Sequence, residues 1–360
     1  MSVLLCGLEA QPLHPLTCAE GGGYRVDSIG LSFFSASVDL ARVVVCFYHP
    51  ADKIFVSSGK KDMELLPEGK NFRLVAKEEL PEILNVLEKY LLESLKFHQT
   101  VKTYLKDCVW EFHFYVSKDW PNDPICLHFP GMTSSPNGLL YESFSVFCPK
   151  SRLDLLSLLE EENILLDWSK PIYLNFTHTS ITERLESFYE TIGTVEKVIG
   201  DVYMCEEPKR DGEPENVQEG FEIRQLKLED VGTIHELYPA NDMEAVSVFE
   251  KLIIRLPAFG VFCSGELAAW MVQSYYGAMF SMQTRPEFRR RGYGILLARK
   301  LMNLVIERGY LPYVVIRPEN DASKSLYTKL GFRKIYQTAR VVFKPYEPTT
   351  ERTSTGKSKT

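Results

Sequence analysis

The sequence predicts a mixed α/β chain built from two tandem copies of one unit, the first copy degenerate. Three observations predict it. Strand-like apolar runs alternate with helical patterns from about residue 70 to residue 335. A turn rich in glycine and arginine joins a strand to a helix at 284–297. Landmarks of the second half also echo the first. Pro149 and Pro286 each follow a strand-like run, and Tyr189-x-x-x-Gly193 and Tyr327-x-x-x-Gly331 close the two series, at offsets of 137 and 138 residues.

Taken in order, residues 1–65 read as a poorly ordered extension, broken by Gly21-Gly22-Gly23, with Val43 to Tyr48 as one strand. Residues 66–205 form the first unit. Phe72 to Val75 is a strand. Glu78, Glu79 and Pro81 start a helix whose apolar face is Ile83, Leu84, Leu87 and Leu91. Trp110 to Val116 alternates as a strand, Asp119 to Pro124 is a turn, and Ile125 to Phe129 is the hairpin partner. Ser143 to Phe147 is a further strand. A helix over Leu153 to Leu159, a strand at Ile172 to Phe176 and a helix at Ile181 to Tyr189 follow.

The charged, Pro- and Gly-containing stretch 206–219 reads as a linker. The second unit, 220–346, opens with strand Phe221 to Arg224, a helix after Asp230 and a helical pattern over Asn241 to Ile254. A meander of three strands follows at Phe259 to Cys263, Leu267 to Val272 and Ala278 to Met282. The tail, 347–360, is rich in Thr, Ser and Lys and reads as disordered.

The chemistry gathers in Thr284-Arg-Pro-Glu-Phe-Arg-Arg-Arg-Gly-Tyr-Gly-Ile-Leu-Leu297. Gly292 and Gly294 stand where a helix begins, and glycine leaves no Cβ between the backbone N–H groups and a ligand. The first N–H groups of a helix lack internal partners, and the helix dipole adds positive potential. Arg289, Arg290 and Arg291 raise it further, so the turn suits a pyrophosphate. It is not a Walker loop, which needs a different glycine and lysine spacing. Nor is it G-x-G-x-x-G, because Leu297 stands at the third glycine position. A second stretch follows the buried strand Tyr313 to Ile316. Asn320 and Ser323 open a helix, Tyr327 lies one turn after Ser323, and Gly331 caps the end.

Arg289-x-x-Gly292-x-Gly294 after a strand, then Asn320-x-x-Ser323-x-x-x-Tyr327-x-x-x-Gly331-Phe332, resembles the two halves of the cofactor site of the GNAT acyltransferases. The resemblance implies two tandem GNAT-like domains, with acetyl-CoA or another acyl-CoA bound by the second as co-substrate. It implies that residues 290–295, with Tyr293 and Ile295 among them, hold the diphosphate through backbone N–H groups. It makes Met282 the oxyanion donor, Asn320 and Ser323 partners of the pantetheine arm, and Tyr327 the general acid. A degenerate domain before an acyl-CoA-binding one is similar to the glycine N-acyltransferase family, whose Pro-Glu-Tyr-Arg matches Pro286-Glu287-Phe288-Arg289 except at phenylalanine. That points to Glu287 as the base. Surface pairing of Glu287 with Arg289, and deprotonation by water, are the alternatives.

The first unit has Lys150-Ser-Arg-Leu-Asp-Leu-Leu156 where the second has its glycines, so it reads as a partner that shapes the substrate site. The acceptor expected is glycine, another amino acid or a small amine; a protein or polyamine acceptor, or a CoA-binding scaffold without an acceptor, are the alternatives. The net charge of −7 argues against a nucleic-acid surface. No apolar run reaches the roughly 18 residues of a membrane helix. The eight cysteines form no C-x-x-C and the seven histidines no ligand spacing, so reduced thiols, no metal and a cytoplasmic (or mitochondrial-matrix) setting are expected.

Overall fold

The computed structural model describes residues 66, 68–109, 111–134, 140–207, 220–238 and 245–347. The expected N-terminal strand at 43–48, most of the linker and the tail beyond 347 lie outside the described residues. Residues 63–360 cluster as one unit, apart from 1–62.

Two halves of that unit share one element order: strand, two helices, three strands, helix, strand, helix, strand. In the first half these are β1 (Phe72–Leu74), α1 (Leu80–Glu88), α2 (Leu91–Asp107), β2 (His113–Ser117), β3 (Cys126–Ser134), β4 (Leu140–Phe147), α3 (Leu156–Glu160), β5 (Ile172–His178), α4 (Thr179–Tyr189) and β6 (Gly193–Met204). In the second they are β7 (Phe221–Gln225), α5 (Val231–Glu236), α6 (Val246–Arg255), β8 (Ala258–Cys263), β9 (Glu266–Gln273), β10 (Met279–Thr284), α7 (Tyr293–Glu307), β11 (Tyr313–Ile316), α8 (Asp321–Lys329) and β12 (Arg333–Pro345).

Several expected boundaries move for local reasons. The apolar face read through Leu91 belongs to two helices. The chain leaves helical geometry at Tyr90 (φ −115°, ψ 27°), and Leu91 starts α2. The helix expected at 153–159 begins as a 3-10 turn, with Arg152 off helical geometry, and becomes α-helical only at Leu156. Neither β6 nor β12 is among the expected strands, and the two decide the architecture.

The strands form an eight-stranded sheet in the order β1-β2-β3-β4-β5-β12-β6-β11 and a four-stranded sheet in the order β10-β9-β8-β7. The halves have exchanged their last strands. β12, from the second half, lies between β5 and β6, whereas β6, from the first, pairs with β11 of the second. In the central β6–β12 pair Gly200 faces Thr338. Those positions are 138 apart, the offset of the repeat itself, so a local two-fold axis passes between them.

The exchange reaches the cores. Ala339, Val341 and Phe343 of β12 pack with Leu156, Leu185 and Tyr189 of the first half. The core of the second half gathers Leu297, Leu301 and Val305 of α7 around Val314, Ile316, Tyr327 and Phe332. A third cluster joins Leu95, Phe97 and Val101 of α2 to Phe249, Leu252 and Trp270 of the second half. Helix α2 also closes the end of α7. The Gln99 amide donates to the Leu311 carbonyl at 2.7 Å and accepts from its N–H at 3.2 Å. Lys106 reaches the Arg308 carbonyl at 3.1 Å, and the Arg308 guanidinium pairs with Asp107 at 2.7 Å. Lysines at a helix C-terminus meet its orphan carbonyls and the negative end of its dipole.

Candidate active site

The site forms where the two sheets part. β10 and β11 are neighbours in space, yet β11 takes its hydrogen bonds from β6 and β10 takes its own from β9. The fork between them opens a cleft of about 520 Å3, within the usual size of a small-ligand site. A bulge shapes its edge. Between the pairs Phe280↔Val272 and Gln283↔Trp270, two residues of β10, Ser281 and Met282, oppose one of β9. Ser281 sits at φ +53°, which bends the strand and sends Met282 into the cleft.

The expected cradle follows β10. A 3-10 turn at Pro286–Phe288 leads to Arg290 at φ +66° and to Gly292 at φ +81°, the N-cap of α7. Left-handed residues alternating with an ordinary one turn backbone N–H groups to one side, the arrangement that holds anions. A Cβ on Gly294 would lie 3.3 Å from the Leu326 side chain and 3.8 Å from the Met282 sulfur, so a side chain there would fill the space between α7, α8 and β10. Tyr293 turns inward. Its ring meets Phe221, its hydroxyl lies 3.3 Å from the Cys263 thiol, and only its backbone serves the turn. Ile295 is half-buried on the first turn of α7. The guanidinium of Arg289 reaches back to the Thr284 carbonyl at 3.2 Å, and that of Arg291 to the Glu287 carbonyl at 3.0 Å.

On the other arm of the fork, Asn320, Ser323 and Tyr327 all line the cleft. The Asn320 side-chain oxygen accepts from the Ser323 N–H at 3.1 Å and caps α8, leaving its amide nitrogen for a ligand. Tyr327 is 3% exposed, and its hydroxyl donates to the Met282 sulfur at 3.6 Å. Burial pushes its phenol well above the ordinary value, so it stays protonated at neutral pH.

The structure thus brings Met282, Tyr327, Asn320 and Ser323 together around the cleft; Gly294 lies beside Met282 at the start of α7, while Gly292 and Arg289 to Arg291 are not among the residues lining the cleft. It does not bring Glu287 there. That carboxylate is exposed, is not among the residues lining the cleft, and lies 3.8 Å from Arg285 instead of pairing with Arg289.

Sequence reasoning missed the walls that the first half supplies. Phe176 of β5 and Val198 to Gly200 of β6 line the cleft, with Tyr238, Tyr276 and Arg340. Phe176 stands at φ +30°, and the Arg340 guanidinium lies 5.2 Å from its ring centre. One signal was available. A glycine inside a strand marks close approach, and a Cβ on Gly200 would come within 2.5 Å of Val315.

The equivalent fork of the first half is closed. β4 and β5 pair in parallel, and beyond the paired stretch the Lys96 side-chain nitrogen of α2 bridges them, 3.0 Å from the Ser145 hydroxyl and 2.5 Å from the Asn175 carbonyl. Leu155 and Leu156 fill the core where the second half has its glycine turn. Among the described residues no group of three metal-ligating side chains comes together, and no helix is long and apolar enough to cross a membrane.

Residues 259–341 match the family model described as FR47-like protein, from β8 to most of β12. The matched stretch holds the bulged strand β10, the glycine turn, α7, β11 and α8. Among solved structures the chain is similar to a Drosophila protein, at 18% identity and a TM-score of 0.65, over 77% of this chain and 99% of that one. A tandem GNAT protein from the clavulanic acid biosynthesis pathway aligns at 12% identity and a TM-score of 0.49, over 77% and 99%. A GCN5-related N-acetyltransferase from Sphaerobacter thermophilus aligns at 12% and 0.46, over 77% and 96%. No curated protein matches the sequence.

Proposed function

We propose that this protein is an N-acyltransferase of the glycine N-acyltransferase type, moving an acyl group from acyl-CoA to the amine of glycine, another amino acid or a small amine. The observation that carries the reading is the pairing of Tyr327 with the bulge residue Met282 across the fork, 3.6 Å apart, at the inner end of a helix-capped glycine turn. Acyl transfer needs the diphosphate held, the thioester oxygen polarised and the leaving thiolate protonated. The N–H groups of 290–295 serve the first need. The backbone N–H of Met282 serves the second, because the bulge takes it out of the ladder register. The protonated phenol of Tyr327 serves the third.

The acceptor meets a wall from the other half. Phe176, Val198 and Ile199 give it apolar contact, and Arg340 gives the same region a positive charge. The degenerate half therefore acts as the substrate-shaping part, and its own fork is occupied by Lys96.

The exposed position of Glu287 favours a second reading, a CoA-binding protein without acceptor chemistry. Calorimetric titration with acetyl-CoA and a longer acyl-CoA, followed by thiol release with amino acids and amines, separates the two. Binding with acceptor-dependent release supports the enzyme. Binding without release for any acceptor supports the second reading, and no binding removes both.

A further inference from the structure

Acylating an ammonium requires a proton acceptor, and Glu287 does not line the cleft. Behind the wall formed by Phe176, Tyr276 and Val315, which the cleft shares, lies a smaller cavity of about 30 Å3. At roughly 10–15 Å3 each, it has room for about two water molecules. Lys96, His128 and His178 line it. His128 is fully buried, and both of its ring nitrogens lack a protein hydrogen-bond partner, as does Nε2 of His178. Buried polar atoms of this kind bond to internal water.

The hydrogen bonds around Lys96 fix where a proton can go. The Ser145 hydroxyl donates to the Asn175 carbonyl at 3.3 Å, so its oxygen accepts from Lys96. The Asn175 carbonyl accepts a second N–H at 2.5 Å. A neutral lysine amine has two N–H bonds and one lone pair; both N–H bonds are used, and the lone pair remains. No carboxylate pairs with Nζ among the described residues. We propose that Lys96 takes up the proton which the acceptor ammonium must lose, through water in this cavity. The inference rests on the acyltransferase reading.

The step balances. The acceptor ammonium gives one proton to Lys96 and becomes a free amine. Its nitrogen attacks the thioester carbonyl, the carbon–sulfur bond breaks, and the sulfur takes a proton from Tyr327. The second proton shed by the nitrogen restores the phenol, and Lys96 releases its own to solvent.

The surroundings favour Lys96 over its neighbours. Facing it are Glu93 from its own helix, His128 from β3, His178 from β5, Tyr276 from the turn before β10, Tyr313 from β11 and Tyr336 from β12, with Arg340 near the Phe176 ring as well. Glu93 already accepts from the Lys150 N–H at 2.8 Å. Burial holds His178 at about 4 and His128 well below its ordinary value, and pushes the phenols of Tyr313 and Tyr336 up. Dense packing around Nζ lowers the Lys96 ammonium well below the usual lysine value. Lys96 keeps part of its surface accessible.

The test is the pH profile of kcat/KM for thiol release from acetyl-CoA, with glycine and then spermidine as acceptor, in the wild type, Lys96→Met and Lys96→Arg. With Lys96 as proton acceptor, the wild-type profile is flat between the pKa of Lys96 and that of the acceptor ammonium. Both variants react only with the neutral fraction of the acceptor, so their rates climb tenfold per pH unit across the same range. Arginine keeps a charge and a long stem but cannot accept a proton, so a merely structural role would leave its profile parallel to wild type. Calorimetry with acetyl-CoA should give unchanged affinity, and if Lys96→Met does not fold, Lys96→Arg carries the comparison. Parallel profiles in wild type and variants overturn this proposal alone. No acceptor-dependent release from wild type overturns the acyltransferase reading and this proposal with it.

Discussion

Phe343 is the sharpest test of the strand exchange. It belongs to the second half by sequence but is fully buried in the core of the first. Its ring lies 5.0 Å from Tyr189 and 5.5 Å from Trp168, both edge-to-face. In the ladder it faces Ile172 of β5 and Val195 of β6. Phe343→Ala removes a buried ring and leaves a cavity, which costs about 3–5 kcal/mol. The two aromatic contacts, about 0.5–1.5 kcal/mol each in similar pairs, push the loss toward the upper end. Total stabilities are only about 5–15 kcal/mol, so the effect should be large in urea unfolding. Hydrogen exchange then locates it. Protection should fall first in α4 and β5, more than a hundred residues away in sequence, while α7 keeps its protection longer. A loss below about 1 kcal/mol, or a loss of protection confined to α7 and β11, would refute the exchanged arrangement.

Three further outcomes are expected. Tyr327→Phe should lower turnover by about 10²–10⁴-fold, the usual worth of a general acid, with acetyl-CoA affinity nearly unchanged in calorimetry; unaltered turnover would exclude the phenol as proton donor. Gly292→Val forces a β-branched residue into φ +81° at the cradle. It should weaken acetyl-CoA binding at least tenfold, and retained affinity would remove the cradle assignment. The third concerns acid. Burial holds His98 and His178 at about 4, against about 6.5 for an unfolded histidine. Below pH 6.5 the unfolded chain binds protons that the native one refuses, so stability should fall from pH 6.5 to 4 and then level off. Each group accounts for at most about 3 kcal/mol, and urea midpoints of His98→Gln should show a shallower fall.

Local chemistry made part of the site legible. The left-handed turn at Gly292 and the cap at Asn320 appear where residue type demands them, because glycine and asparagine impose their geometry within a few residues. The place of Glu287 was not legible. Its neighbours in sequence are those of a familiar motif, but its side chain emerges on the solvent side of a 3-10 turn. A sequence spacing does not specify which way that turn faces. Nor did anything local announce Phe176 or Arg340 as cleft residues, since both stand on strands of the eight-stranded sheet while the bulge and the glycine turn belong to the other arm of the fork.

The sequence by itself determined the repeat, the order of most elements, the strand and glycine turn that follow one another on one arm of the fork, and the loss of that turn in the first unit. These depend on side-chain periodicity and on residues with restricted or permissive backbones, which act over a few positions. Only the tertiary structure decided that β6 and β12 change places, and so that one half walls the cleft of the other. The reason is physical. Strand pairing uses backbone N–H and C=O groups that every residue but proline carries alike, so the choice of partner is made by which faces bury together across the whole sheet. Gly200 opposite Thr338 is where that choice becomes visible.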